Sequence, residues 1–338
     1  MSSGLRRYII VRILMTIPML LILVSLVFFI LRVMPGDPAL AILREGASEE
    51  QLQSFRVATG LDQPLHIQYL QFVGGVIRLD FGESLTRGIP VIDEIATFFP
   101  ATVELALAAM LVTTTVGIFF GVYAAQHRKK ASDYGIRVAS IILYAIPIFW
   151  LGLMLQMVFG AQLGWLPVAG RLSAGNTPTD NITGLYTIDA ILTGDWKLFK
   201  DAVRHLILPA ITLGLVLAGI FIRLTRANML DVLEQDYITA GRARGLKERI
   251  LVYKHGLRNA FIPIVTLLGL QVALLLAGAI LTETTFSWPG LGRLVVDRIY
   301  DRDFTTLQGS ILFFALIVAS VSLIVDVLYG FLDPRIRY

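Results

Sequence analysis

Ala101-Thr-Val-Glu-Leu-Ala-Leu-Ala-Ala-Met-Leu-Val-Thr-Thr-Thr-Val-Gly-Ile-Phe-Phe-Gly-Val-Tyr-Ala-Ala125 is a run of 25 residues with a single charge, Glu104. A helix needs about 20 apolar residues to cross a bilayer core, because each residue rises only about 1.5 Å. This run is long enough, and it ends at Gln126-His-Arg-Lys-Lys130, where the polarity changes abruptly. Five other segments pass the same test: Ile13–Leu31, Val138–Gly160, Leu206–Ile222, Phe261–Leu281 and Leu307–Phe331. The expected fold class is an all-α integral membrane protein with six transmembrane helices. The first segment is too long for a signal-peptide core and lacks a small-residue cleavage site after it, so it reads as a retained signal anchor.

Composition points the same way. Of the 338 residues 56% are hydrophobic and only 16% are charged. A soluble domain carries about 25% charged residues, so this chain lacks the polar surface that water demands. It contains no Cys, which excludes a disulfide scaffold and any thiolate metal or redox site. A net charge of +4 is no argument for a nucleic-acid partner.

Lys and Arg placement sets the expected orientation. With the N-terminus inside, the segments 1–12, 126–137, 223–260 and 332–338 hold 17 of the 29 basic residues, although they are half as long together as the outside loops. The short loop with Arg128, Lys129 and Lys130 weighs most, because long loops cross largely regardless of charge. Both termini are therefore expected in the cytoplasm.

Two outside loops exceed simple connectors. Segment 32–100 begins with the stiff turn Pro35-Gly-Asp-Pro38, continues with a polar stretch Arg44–Arg56 that reads as helix, and then shows helical spacing over Gln63–Ile77. The second helix is expected to pack on the outer face of the spans. Segment 161–205 contains Asn181-Ile-Thr183, a formal glycosylation sequon that carries little weight.

The cytoplasmic segment 223–260 is the most informative. Asp236-Tyr-Ile-Thr-Ala-Gly-Arg-Ala-Arg-Gly245 has an acid suited to capping a helix start, small residues at Ala240 and Ala243, and a glycine suited to closing it. A second, basic helix should follow and lead to Pro263. Such a short helix can be an amphipathic connector between spans, or it can enter a groove on another protein.

Thr239-Ala-Gly-Arg-Ala-Arg-Gly245 and Phe261-Ile-Pro263 resemble the cytoplasmic loop of membrane subunits of type I ATP-binding-cassette importers. Four further stretches resemble the dipeptide and oligopeptide branch, specifically its first permease subunit. They are Pro35-Gly-Asp-Pro38, the outer pair Gly60–Pro64 and Leu79–Ser84, Thr282-Glu-Thr-Thr-Phe-Ser-Trp-Pro-Gly-Leu-Gly292, and Asp333-Pro-Arg-Ile-Arg337. The likeness covers essentially the whole chain. It implies a type I importer permease fold in three parts: 1–95, the first transmembrane helix with its extended outer loop; 96–330, a core of five helices with a coupling helix; and 331–338, a cytoplasmic tail. It also implies a prokaryotic inner-membrane location and one half of a pore shared with a sister permease. Two cytoplasmic ATPases would drive the pore, and an extracytoplasmic binding protein would deliver the solute. The coupling helix carried over is Asp236, Tyr237, Thr239, Ala240, Gly241, Arg242, Ala243 and Gly245. Where the wider superfamily begins this loop with Glu-Ala-Ala, this chain has Thr239, Ala240 and Gly241, which leaves Tyr237 and Arg242 for polar contact with the ATPase. Relatives of this pattern carry dipeptides, oligopeptides, nickel, glutathione or oligosaccharides.

The chain contains no Gly-x-x-x-x-Gly-Lys-Ser/Thr loop, so ATP and Mg are expected in the partner ATPases and no cofactor on this chain. It also lacks His-Glu-x-x-His and Gly-x-Ser-x-Gly, so it is not expected to be an enzyme. Within the spans, Glu104 and Asp326 are the only acids, and both lie near span ends. Each is either a structural group or a pathway group, and Asp326 is within reach of Arg335 and Arg337. Gly117-x-x-x-Gly121 should let helices approach closely, inside the chain in preference to the interface with the sister subunit. Pro147 should interrupt span three, and Pro209 should either interrupt span four or only mark its entry. Gln271 either lines the pore or bonds to a neighbouring helix. Trp288 and Pro289 either anchor at the interface or fold back as part of an outer gate. The rival class, an ion-coupled secondary transporter, would need a deep carboxylate and repeated halves, and neither is visible.

Overall fold

Inside a bilayer the backbone has no water to bond with, so apolar runs of this length must become helices. The computed structural model describes residues 3–33, 48–58, 60–177, 181–276 and 279–332. Among the described residues every regular element is helical, apart from an isolated bridge between Glu83 and Pro90. The Pro35–Pro38 turn and the Asp333–Arg337 motif lie outside the described residues.

Four helices are each long and apolar enough to cross: Ile9–Ile30, Val91–Gln126, Trp196–Leu233 and Phe304–Val327. Two bent pairs bring the number to six if each pair is one span. We name the helices α1 (Ser3–Val33), α2 (Glu49–Ala58), α3 (Leu65–Ile77), α4 (Val91–Gln126), α5 (Ala131–Ala145), α6 (Ile148–Leu155), α7 (Tyr186–Thr193), α8 (Trp196–Leu233), α9 (Asp236–Ala243), α10 (Leu257–Leu276), α11 (Ile280–Thr285), α12 (Leu291–Tyr300) and α13 (Phe304–Leu332). A π-helical turn, Gln156–Gln162, extends α6, and another, Ile250–Gly256, precedes α10.

Several expected boundaries change. Span three is not one helix over Val138–Gly160: α5 and the α6 segment meet at 101°. Proline disfavours the helical region for the residue before it, and both Ile146 and Pro147 are extended, with ψ of 129°. Pro209, by contrast, does not interrupt span four. It sits inside the continuous 38-residue α8, buried with Leu208 and Ala210. Packing on both sides holds the helix through the lost hydrogen bond. At about 1.5 Å per residue α8 spans roughly 57 Å, so it projects beyond a core of about 30 Å on both sides. The second span likewise starts ten residues early, at Val91, with Pro100 inside α4. The polar helix of the first outer loop begins at Glu49. Ser48 and Gln51 cap it reciprocally, Gln51 N donating to Ser48 Oγ at 3.2 Å and Ser48 N to Gln51 Oε1 at 2.9 Å.

The centre of the molecule is the parallel pair α4 and α8, whose contacts advance together from Val112 with Gly214 to Gly121 with Thr225. A Cβ on Gly117 would come within 2.5 Å of Phe221, one on Gly121 within 2.5 Å of Thr225, and one on Gly214 within 2.6 Å of Val112. These positions let the two backbones close on each other, and Thr113 Oγ1 donates to the Gly214 carbonyl at 3.0 Å. Leu105, Ala109, Met110, Leu213, Phe221, Ile264 and Trp288 fill the core around that seam. Near the C-terminal end of α8 Arg226 Nε and Nη2 donate to the two oxygens of buried Asp133 at 2.6 and 2.8 Å, tying α8 to α5. α1 is peripheral and packs through Val24, Val27 and Phe28 against α3 and α13. Its outward side chains are exposed and apolar, and its Arg12 lies 3.4 Å from Asp326 of α13. α3 packs on α1, with Tyr69 Oη 2.7 Å from Ser25 Oγ.

Gly121→Val would drive two methyls into Thr225 and the Ile222 carbonyl. Overpacking of this kind costs about 1–3 kcal/mol, so the melting temperature of the detergent-solubilised protein should fall clearly, while Gly74→Val, where a Cβ meets open space, should leave it nearly unchanged. Equal melting of the two variants would show that the α4–α8 contact is looser than described.

Candidate functional site

The helix α9 is built to stand on a narrow foot and expose the rest. Ile238 and Gly241 are buried, and a Cβ on Gly241 would meet Leu251 at 2.6 Å. Asp236, Tyr237, Thr239, Ala240, Arg242 and Ala243 are all exposed. Asp236 does not cap the helix as expected. The N-cap is Gln235, without a side-chain hydrogen bond, and Asp236 is the first helical residue, where its charge suits the positive end of the helix dipole. The other end is as expected: Gly245 takes φ +79°, Gly245 N donates to Arg242 O at 2.9 Å and Leu246 N to Gly241 O at 3.2 Å. This double closure needs a left-handed residue, and glycine meets it without strain. Tyr237 Oη accepts from Asn259 Nδ2 at 2.7 Å, and Arg242 Nε donates to Glu248 at 2.7 Å.

The foot leads into the membrane. Leu251 and Val252 of the π-helical turn are buried, and Val252 packs with Val122 of α4, Met229 of α8 and Ala260 of α10. Past this cluster the chain bends by 50° between Ile250–Phe261 and Pro263–Leu276. Gln271 is half-buried on α10, and its side chain has no hydrogen-bond partner among the described residues.

At the opposite end the run 282–292 folds into a knot around Glu283. Its Oε1 accepts from Thr102 Oγ1 at 2.8 Å and its Oε2 from Arg293 N at 3.0 Å. A Cβ on Gly290 or Gly292 would collide with that carboxylate, so the Pro-Gly-Leu-Gly turn can wrap it only with glycine there. Ser287 takes φ +49° to turn the chain, and Trp288 is fully buried with Nε1 donating to Ala101 O at 2.8 Å. Trp288 thus folds back onto α4. Burial pushes the Glu283 carboxyl up, and the hydrogen bonds from Thr102 and the backbone only partly offset it.

Glu104 is 4% exposed and tied into a clasp. Arg171 Nε donates to its Oε2 at 2.8 Å, and Thr187 N and Oγ1 donate to its Oε1 at 2.8 and 2.6 Å. The Arg171 guanidinium lies 3.6 Å above the Tyr186 ring and donates to Gly184 O at 2.6 Å. The clasp pins the second outer loop to α4. Asp303 does the same for the first outer loop. It accepts from Ser84 Oγ at 2.5 Å and Thr86 Oγ1 at 3.0 Å, and caps α13 through Thr306 N at 3.1 Å. Burial pushes its carboxyl up, but those bonds outweigh burial and hold it below the usual carboxylate range. Arg298 of α12 pairs with buried Glu94 of α4 at 3.2 Å.

Glu283, Arg171, Asp303 and the Asp133–Arg226 pair escaped the sequence reading. Only Glu283 had a signal, its place inside the quoted 282–292 run. Each of the others is recognisable only through a partner distant in the chain.

Residues 117–338 match the family model described as binding-protein-dependent transport system inner membrane component, and residues 5–106 match the model for the N-terminal part of such membrane components. The chain is 46% identical to the di/tripeptide transport system permease protein DppB of Pseudomonas aeruginosa over 93% of each chain. It is 42% identical to the dipeptide transport system permease protein DppB of Escherichia coli over 98% of this chain and 99% of that one. It is 39% identical to the oligopeptide transport system permease protein AppB of Bacillus subtilis, again over 98% and 99%.

Two outcomes test the outer ties. Glu104→Gln strands a buried guanidinium, which costs about 3–5 kcal/mol, and Glu104→Gln with Arg171→Met should recover part of that loss in thermal melts. No recovery in the double variant would show that the ion pair is not the tie. For Asp303 the lowered carboxyl stabilises the fold above its unfolded pKa, and that contribution is lost as pH falls through the folded value. Asp303→Asn should therefore melt lower at neutral pH and lose less stability on acidification than the native chain. Parallel acid curves would remove Asp303 as the cause.

Proposed function

The chain belongs to the family of inner membrane components of binding-protein-dependent transport systems, and on that premise we propose that it forms half of a pore for short peptides, driven through α9. It is a permease subunit of an ATP-binding-cassette importer in the bacterial inner membrane, and it is not itself a catalytic ATPase. Its partners are a substrate-binding protein and ATPase subunits. In our reading a sister permease completes a two-fold pathway, and two cytoplasmic ATPases carry the ATP and Mg. Peptides are favoured as cargo because the relatives named above are peptide-system permeases.

The observation that carries the reading is the exposed face of α9 on its two-point foot. A helix whose buried residues are Ile238 and Gly241 leaves Thr239, Ala240 and Ala243 exposed for a groove on an ATPase, flanked by Tyr237 and Arg242, which are exposed but already bonded to Asn259 and Glu248. When ATP draws the ATPase pair together, α9 moves with it. The displacement passes through Leu251 and Val252 to Met229 of α8 and Ala260 of α10, and the 50° bend before Pro263 is where α10 can swing. Coupling requires that the ATPase contact α9 differently in its two nucleotide states. The knot of Glu283, Trp288 and Pro289 closes the outer end of the same path. Gln271 faces the pathway, since a half-buried amide in an apolar helix needs a polar partner from water or solute. Glu104 serves as a positioning group for the outer loop.

Ala240→Arg in the reconstituted complex tests this. A coupling of about 1–3 kcal/mol corresponds to roughly 5–150-fold, so peptide uptake and peptide-stimulated ATP hydrolysis should both fall by at least about tenfold. Ala174→Arg, on an exposed outer turn, should leave both intact. Full uptake with stimulated hydrolysis in Ala240→Arg would overturn the assignment of α9.

A further inference from the structure

The helix α7 is amphipathic in the opposite sense to a water-exposed helix. It buries its acid, Asp189, at 0% exposure together with Ala190. Asp189 accepts from Thr183 N, Thr183 Oγ1 and Gly184 N at 2.9, 2.6 and 3.0 Å. Ile188, Ile191 and Leu192 point outward at 40%, 52% and 60% exposure, followed by Trp196 at 67%. A helix bathed in water would do the reverse, since apolar area left exposed forfeits about 25 cal/mol per Å².

The depth of α7 is also fixed. Thr187 at its start donates twice to Glu104, which lies four residues into the apolar run Ala101–Ala125. The helix therefore sits at the outer edge of the apolar band and not above it. Directly after it, Asp195 caps α8 by accepting from Leu198 N at 2.9 Å, and the first turn reads Trp196-Lys-Leu-Phe-Lys200. Trp196 and Lys200 lie one turn apart on one face. Lys197 and Lys200 are exposed, and neither has an ion-pair partner among the described residues. Tryptophan favours the headgroup level, and lysine lays its apolar stem along the membrane while its ammonium reaches the phosphates.

We propose that α7 and the first turn of α8 form an interfacial anchor in the outer leaflet. Ile188, Ile191 and Leu192 enter the acyl region, Trp196 sits among the headgroups, and Lys197 and Lys200 meet phospholipid phosphates. The bilayer is thereby a direct partner of the second outer loop, and it keeps water from the Glu104–Arg171 clasp behind α7.

The absence of native Cys makes the test simple. Ile191→Cys, Leu192→Cys and, as an outer-loop control, Ala174→Cys are each labelled with an environment-sensitive fluorophore. The permease is kept in its transport complex, in nanodiscs of phosphatidylethanolamine and phosphatidylglycerol. Labels at 191 and 192 should emit to the blue of the control. Lipids with a nitroxide near the headgroup should quench them at least about twofold more strongly than the control, as expected for a helix sunk about 5–10 Å into the interface. Iodide in the water should quench only the control. Equal iodide quenching at all three sites would overturn the proposal in favour of a water-exposed loop. Shielding of 191 and 192 from both quenchers would also overturn it, because a protein surface would then cover α7. Both labelled side chains are exposed, so the substitutions leave the fold intact, and unchanged melting of the variants verifies this.

Discussion

The close approach of α4 and α8 is the constraint on which the rest of the molecule depends. Lipid is as apolar as leucine, so helices inside a bilayer gain little by hiding leucines from it. What holds them is close packing, and here it is obtained by removing side chains at Gly117, Gly121 and Gly214. Every functional feature hangs from this pair. At the end beside α9 Val122 and Met229 receive the cluster that supports that helix. At the opposite end Ala101, Thr102 and Glu104 hold both the Trp288 knot and the loop clasp. A shift between the two helices would reach both ends at once.

The two ends are secured differently. The end beside α9 combines the apolar Val122–Met229–Val252 cluster with the buried Asp133–Arg226 pair. The opposite end is held by more of such buried polar ties: Glu104 with Arg171, Glu94 with Arg298, Asp303 with Ser84 and Thr86, Glu283 with Thr102. Buried polar contacts are all-or-none, since a group left unpaired there costs far more than the bond contributes.

Much of the architecture was legible from the residues. Apolar runs located the spans because a bilayer admits little else, and Gly245 announced the end of α9 because only a left-handed cap suits it. Pro147 and Pro209 show where legibility stopped. Both are prolines in apolar runs, and the local rule treats them alike. One sits at a 101° bend and the other inside an unbroken helix, and the difference is the packing around Leu208 and Ala210. Asp236 misled for a similar reason: acids are favoured at the cap and also one residue later, where they serve the dipole.

The sequence by itself determined an all-helical membrane protein, the approximate spans, the short glycine-closed helix in the most basic loop and the importance of the 282–292 run. The first three follow from local chemistry, namely hydropathy over a window, charge in a loop and the backbone freedom of glycine, and the last from the resemblance to peptide permeases. Only the tertiary structure decided what the isolated polar groups are for. Arg171 lies 67 residues from Glu104, and Thr102 lies 181 from Glu283. No periodicity links such pairs, because their proximity comes from the way α4 seats against α8 and the outer turns seat against α4.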